Sequence, residues 1–239
     1  MGSLFDGIGG FPLAASRHGI KPVWASEIEA FPIEVTKLRF PDMIHVGDIT
    51  KLKGADLPPV DIVTGASPCQ DLSVAGARAG LAGARSGLFM EQIRVIKEMR
   101  NADIRRGRST KYIRPRFGVW ENVPGAFSSG IPKGEDFRIV LEEFIRVKFD
   151  SFYVPRPYTG RWEPAGRILL GDTFSLAWRV LDTQYWPGTP QRRRRIYLVV
   201  DYGGTTAPKI LFDQESLCRD YSPGIRAGQA IAAPAPAGT

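Results

Sequence analysis

The chain has 239 residues, 43% hydrophobic and 24% charged, which suits one globular domain with a sizeable core and speaks against a disordered or fibrous chain. Its two cysteines, Cys69 and Cys218, form no C-x-x-C pair, so neither a disulfide framework nor a zinc site is expected. A net charge of +7 favours a polyanionic partner such as nucleic acid, and the absence of a secretory signal and of a long apolar run makes the cytoplasm the expected location.

Apolar strand-like runs alternate with helix-like stretches, which predicts an α/β fold with a mostly parallel central sheet flanked by helices. Ser3 to Phe5 reads as the first strand, followed by a helix from about Phe11 to His18 that Gly19 ends. Val23 to Ser26 is the second strand, and Glu29 to Leu38 a helix with Pro32 near its first turn. Ile44 to Val46 and Val60 to Thr64 follow as the third and fourth strands. Leu72 to Gly87, rich in Gly and Ala, reads as a loop long enough to be a mobile lid. Phe89, Ile93 and Ile96 recur at helical spacing, predicting a helix over Leu88 to Met99. Arg116 to Trp120 is the fifth strand, and Phe137, Leu141, Phe144 and Lys148 mark another amphipathic helix. Val154 to Arg167 carries Pro155, Pro157, Gly160, Pro164 and Gly166 and is expected to be loop. Phe174 to Leu181 and Arg195 to Val200 close the sheet. The domain is expected to span residues 1–201, with an irregular tail over 202–239.

Chemistry-bearing residues fall at the ends of these strands. The run Phe5-Asp6-Gly7-Ile8-Gly9-Gly10 would let backbone approach a ligand at a helix N-terminus. It lacks the third glycine of the dinucleotide fingerprint, because position 12 is Pro12. Glu27 and Asp48 follow the second and third strands; taken singly, each reads as a solvated acid. Cys69 follows the fourth strand within Ser67-Pro68-Cys69-Gln70, on a turn where a thiolate could act as a nucleophile. Glu121 ends the fifth strand, and Arg193 and Arg195 point the same way if Gln191 to Arg195 is extended.

In this order, Phe5-x-Gly7-x-Gly9, Glu27-Ile28, Asp48-Ile49, Pro68-Cys69-Gln70, Glu121-Asn122-Val123 and Gln191-x-Arg193-x-Arg195 resemble the DNA (cytosine-5)-methyltransferase family. The resemblance covers about Ser3 to Val200 and implies a Rossmann-like S-adenosylmethionine-dependent methyltransferase fold of bacterial or phage type. By that resemblance Phe5, Gly7 and Gly9 hold the methionine part of S-adenosylmethionine, and Glu27 accepts from the ribose hydroxyls. Ile28 lies against the adenine, and Asp48 accepts from its amino group. Ile49, Pro68 and Leu88 complete the cofactor side. Cys69 adds to carbon 6 of cytosine, Glu121 binds the cytosine amino group and nitrogen 3, and Arg193 binds the carbonyl oxygen. Arg195 is placed near the thiol, while Gln70, Ser73, Asn122 and Val123 border the base. The implied partner is duplex DNA with a flipped cytosine, and the stretch Ser73 to Gly87, with Arg78 and Arg85, is placed to close over it. No metal and no membrane are implied.

Family members carry two further parts: a target-recognition domain after the arginine strand, and a final Gly-Asn block beside the first strand. Residues 202–239 match neither. Three readings stand: a truncated catalytic piece, half of a split enzyme with target recognition on a second chain, or a reduced relative. The first is preferred and predicts weak cofactor binding and poor methylation by this chain alone. Rival functions are an RNA cytosine-5 methyltransferase, a non-catalytic nucleic-acid-binding relative, and a cysteine hydrolase pairing Cys69 with His18 or His45. The last leaves the arginine pair without a role.

Overall fold

The computed structural model describes residues 1–68, 87–185 and 191–212. Among them the strands are β1 (Gly2–Leu4), β2 (Trp24–Ser26), β3 (Ile44–His45), β4 (Ile62–Gly65), β5 (Phe117–Asn122), β6 (Ala165–Leu169), β7 (Ser175–Asp182) and β8 (Arg194–Asp201). The helices are α1 (Gly10–Arg17), α2 (Ala30–Arg39), α3 (Gly87–Arg105), α4 (Glu135–Arg146) and α5 (Ala207–Phe212). The strands form one sheet in the order β3-β2-β1-β4-β5-β8-β7-β6. The first five strands pair in parallel, and β8, β7 and β6 join antiparallel.

Strand order reverses between β1 and β4, since the chain moves outward first to β2 and β3 and then to β5. In open α/β sheets such a switch leaves a crevice beyond the carboxyl ends of the strands, where ligands bind. The turns after β1, β2, β4 and β5 all open at that end, and antiparallel β8 begins there.

Burial explains which runs became strands. β1 is only three residues long, yet all three are buried, as expected for a strand covered on both faces. Gly2 packs under the Trp24 indole, where an added Cβ would come within 2.1 Å of the ring. α3 and α4 present Phe89, Ile93, Ile96, Phe137, Leu141 and Phe144 to the main core, and Phe89 meets Trp120 and Phe144 edge-on. α3 runs past Met99 to Arg105, because Ala102 and Asp103 also turn inward and Asp103 receives the Arg114 guanidinium.

Two expectations are corrected. Val154 to Arg167 is not loop throughout: β6 begins at Ala165 and pairs with β7. Gly166 there is a packing residue, with the Trp178 ring occupying the place of its missing side chain. The stretch after Asp201 is also not irregular from its start. α5 packs on β7 and β8, burying Ala207 and Leu211 against Ala177 and Val199. It is held by Asp201, which accepts from Arg116, Gly203 and Thr206 and is pulled down to a pKa of about 2, chiefly by the Arg116 and Thr206 bonds outweighing its burial. The expected lid, Leu72 to Gly87, lies outside the described residues except for Gly87, which opens α3 and is not loop, and the tail from 213 onward lies outside them too.

Candidate active site

The first turn is built around one carboxylate. Phe5, Gly7 and Gly9 all take positive φ, at 54°, 54° and 83°. Gly9 caps α1 in the left-handed conformation, and a Cβ there would sit 2.9 Å from Thr36 Cγ2 and 3.0 Å from Phe40 Cε2. The turn is fastened by Glu27, whose Oε2 accepts from the Gly7 N–H at 2.8 Å. Its Oε1 accepts from the Ile28 and Glu29 N–H groups at 2.8 and 3.0 Å. A carboxylate offers about four acceptor sites, so Glu27 fastens the turn with three of them and keeps about one for a ligand hydroxyl.

Asp6, to which the sequence reading gave no role, lies at the centre of this turn. Its carboxyl is buried, accepts from the Ser3 hydroxyl, and leaves Oδ2 without a hydrogen-bond partner. Burial, with the nearby Glu27 charge adding to it, raises its pKa to about 6 against the bond from Ser3. Ile28 is 70% exposed beside it, an apolar side chain open to a planar ring. Asp48 follows β3, with Oδ1 accepting from the Thr50 N–H and hydroxyl, bonds that hold its pKa below the usual carboxylate value. Ile49 is placed differently from expectation: it is 4% exposed, within the main core. Leu88, at the start of α3, is half-buried against the same core, and Pro68 is exposed. An acid at the end of each of two adjacent strands, a glycine turn and an exposed isoleucine suit an adenosyl ligand.

The second half of the site joins three elements. Glu121, near the end of β5, has its side chain 15% exposed. The Arg195 Nε lies 2.9 Å from Glu121 Oε1, and the Arg193 guanidinium approaches the same oxygen at 4.0 Å. Both arginines reach Glu121 from one side of an extended segment, as period-two geometry requires. Arg192 turns to Asp182 at 3.8 Å instead. Asp182 also accepts from the Arg193 N–H at 3.1 Å and so fixes the segment against the end of β7. Tyr197, directly across from Glu121 in the β5–β8 pairing, has its hydroxyl pKa raised by burial and then by the Glu121 charge.

Asn122 turns to the other face of β5 and is buried. Its Nδ2 donates to the Ser67 carbonyl at 3.2 Å, and its Oδ1 accepts from the Val123 N–H at 2.8 Å. The Trp120 indole N–H donates to the Ser67 hydroxyl at 3.3 Å. The segment leading to Cys69 is thereby tied to the strand that carries Glu121. Gln92 of α3 adds to this tie, bonding the Val119 carbonyl and packing where a Gly65 side chain would stand. Neither Ser67 nor Gln92 was assigned a role from sequence; only adjacency to the cysteine motif marks Ser67. Cys69, Gln70 and Ser73 lie outside the described residues. Among the described residues no group of His, Cys, Asp and Glu could hold a metal ion, and no helix is long and apolar enough to cross a membrane. His45 lies on the edge strand β3, three strands from β4, and is no partner for the Glu121 end of the sheet.

The sequence profile of the C-5 cytosine-specific DNA methylases matches residues 1–204. The chain belongs to that family. Similar proteins include a DNA N-6-adenine-methyltransferase of Escherichia phage P1, 33% identical over 93% of this chain and 31% of that protein. The Type II methyltransferase M1.ScrFI of Lactococcus lactis subsp. cremoris is 45% identical over 62% of this chain and 34% of its own length. The orphan methyltransferase M.Rho11sI of Bacillus phage rho11s is 33% identical over 82% of this chain and 32% of its own. A solved structure of a prophage-encoded DNA modification methyltransferase from E. coli superimposes with a TM-score of 0.52 at 22% identity, covering 84% of this chain and 46% of that one, which shows the shared fold. The chain spans about a third of the length of the three relatives named here. The methyl donor that goes with this family is S-adenosylmethionine.

Proposed function

We propose that the chain is the catalytic part of a DNA (cytosine-5)-methyltransferase, acting through a covalent adduct on Cys69. The observation that carries this reading is the joining of Glu121, Arg195 and the Ser67–Pro68 segment at one end of β5. In the reaction the Cys69 thiolate adds to carbon 6 of an extruded cytosine, and the ring becomes an enamine. Glu121 donates a proton to nitrogen 3, or shares one with it, which makes carbon 6 more electrophilic. Arg195 and Arg193 hold Glu121 in place, with Arg193 assigned to the carbonyl oxygen and Arg195 to the neighbourhood of the thiol. S-adenosylmethionine supplies the methyl group to carbon 5 of the enamine and departs as S-adenosylhomocysteine. Loss of the carbon 5 proton and elimination of the Cys69 thiolate then restore the aromatic ring. The glycine turn, Glu27, Ile28 and Asp48 hold the donor, and duplex DNA is the partner. Residues 202–239 are proposed to lead toward target-recognition elements, on this chain or a second one.

The phage P1 relative is named for adenine N-6 transfer, a reaction that uses the nucleophilic exocyclic nitrogen directly and gives a cysteine no task. The test is to incubate the chain with DNA and methyl-labelled S-adenosylmethionine, then digest the product to nucleosides. Label in 5-methylcytosine supports the proposal. Label in N6-methyladenine overturns it, as does label incorporated into RNA and not into DNA.

A further inference from the structure

Residues 128–134 and 151–162 take no part in the chemistry above, yet they are built as one rigid ledge. The Arg156 guanidinium donates to the Lys133 carbonyl at 2.9 Å, and the Trp162 indole donates to the Gly134 carbonyl at 2.8 Å. The two loops touch backbone to backbone, since a Cβ on Gly134 would lie 2.8 Å from the Gly160 carbonyl oxygen. Beneath them, Trp162 packs edge-on against Phe137 and Trp178, with ring centroids 5.2 and 6.0 Å apart, and Phe127 meets Phe137 at 4.6 Å.

This well-fastened backbone presents an unusual surface. Residues 128–134 and 151–162 carry Lys133, Arg156 and Arg161, while the carboxylates Glu135, Asp150 and Glu163 stand at their ends. Lys133 and Arg161 are exposed, and the Tyr158 ring is fully exposed between them in sequence. Globular surfaces hold their aromatic rings partly covered, so a rigid, basic ledge with an open ring fits a polyanion with stackable or sugar faces.

Its place in the fold supplies a distance. Glu121, Tyr197, Arg179 and Ala165 form one cross-strand row through β5, β8, β7 and β6. Ala165 is thus three strands from Glu121, about 14 Å at roughly 4.8 Å per strand. The ledge rises from that end of the row, since Pro164 accepts from the Val180 N–H and the Glu163 carbonyl from the Trp178 indole. At about 3.4 Å of duplex axis per base pair, this offset is about four base pairs.

We propose that the ledge is a second backbone-contact surface for the same duplex, gripping phosphates about four base pairs from the extruded base through Lys133 and Arg161, with Tyr158 against the sugar-phosphate edge. This rests on the DNA reading above and deepens it. Because the ledge is preorganised, contact costs little ordering of the loops.

The test compares binding of the full chain, by fluorescence anisotropy, to duplexes held by an interstrand crosslink at each end, with an abasic site flanked by three or by ten base pairs. Each phosphate contact steepens the dependence of log affinity on log salt by about 0.9. The longer duplex is expected to show a slope steeper by about two. K133A/R161A should remove that increment, a difference of about tenfold in affinity change across a fourfold salt range, and leave the short duplex unaffected. Equal slopes on the two duplexes, or an unchanged slope in the variant, would overturn the proposal and leave the ledge to a protein partner. Labelled methyl transfer to a separate duplex that keeps its cytosines reports on the catalytic reading, so the two can fail independently.

Discussion

Replacing Asn122 by alanine removes one of the two bonds that tie the Ser67 segment to β5, leaving the one from Trp120, and also unpairs the Val123 N–H. The Ser67 carbonyl loses its donor at 3.2 Å, and the Val123 N–H loses its acceptor at 2.8 Å. Ser67 is itself 3% exposed, so its carbonyl has no ready access to water. A buried polar group stranded in this way costs about 1–3 kcal/mol. The half-buried Val123 amide regains part of its loss from solvent, which puts the total at about 2–4 kcal/mol. That is a large share of the roughly 5–15 kcal/mol by which domains are stable, yet the fold should persist. The catalytic effect should exceed what unfolding explains, because a misplacement of about 1 Å at a reacting group costs on the order of 100-fold in rate. Urea unfolding and methyl-transfer rate, measured on the same preparation well below the unfolding midpoint, separate the two. Stability within about 0.5 kcal/mol of the parent with an undiminished rate would refute the positioning role of Asn122.

Three further outcomes are expected. Asp6 keeps its proton to about pH 6 in the folded protein, above the usual carboxyl value of 3.8. Its contribution to stability is therefore fully present below pH 4 and declines by about 3 kcal/mol as pH rises to 6. Asp6→Asn should flatten that decline in urea midpoints taken between pH 4 and 7, and parallel profiles for parent and variant would contradict the burial argument. Gly9→Ala forces a left-handed residue, costing about 1–2 kcal/mol, and drives its methyl group into Thr36 and Phe40. The melting temperature should fall, and the upward shift produced by S-adenosylhomocysteine should vanish; a retained shift would show that the turn is not the cofactor site. Arg195→Ala removes the 2.9 Å partner of Glu121. It is expected to lower kcat by about 100-fold or more with little change in the cofactor-induced shift, and a loss confined to cofactor affinity would argue against its assignment.

Legibility in the sequence followed the strength of local patterns. α3 and α4 were visible because their apolar positions recur at helical spacing and do face the core. The ends of β1, β2 and β4 were visible because glycine turns and acids punctuate them. β6 was hidden, since Pro155, Pro157, Pro164 and Gly166 read as loop, whereas Gly166 serves to admit the Trp178 ring. α5 was hidden because a helix of six residues owes its place to Asp201 and to the apolar face of β7 and β8, none of which is local. At the site, the shared side of Arg193 and Arg195 followed from period two, whereas their meeting with Glu121 depends on the pairing of β5 with β8. The task of Glu27 in fastening the glycine turn, the tie through Ser67, and the buried carboxyl of Asp6 depend on contacts between strands distant in sequence. Ile49 shows the converse: a motif position can match its family and still pack into the core.

The central claim is that a cysteine on the segment tied by Asn122 attacks a cytosine held by Glu121. DNA containing 5-fluorocytosine tests it most directly, because fluorine at carbon 5 blocks the final elimination and traps the adduct. Incubated with this DNA and S-adenosylmethionine, the chain should yield a denaturant-resistant protein–DNA species that is absent in Cys69→Ala and strongly reduced in Glu121→Gln. No such species from the parent chain, or one that persists in Cys69→Ala, would contradict the account.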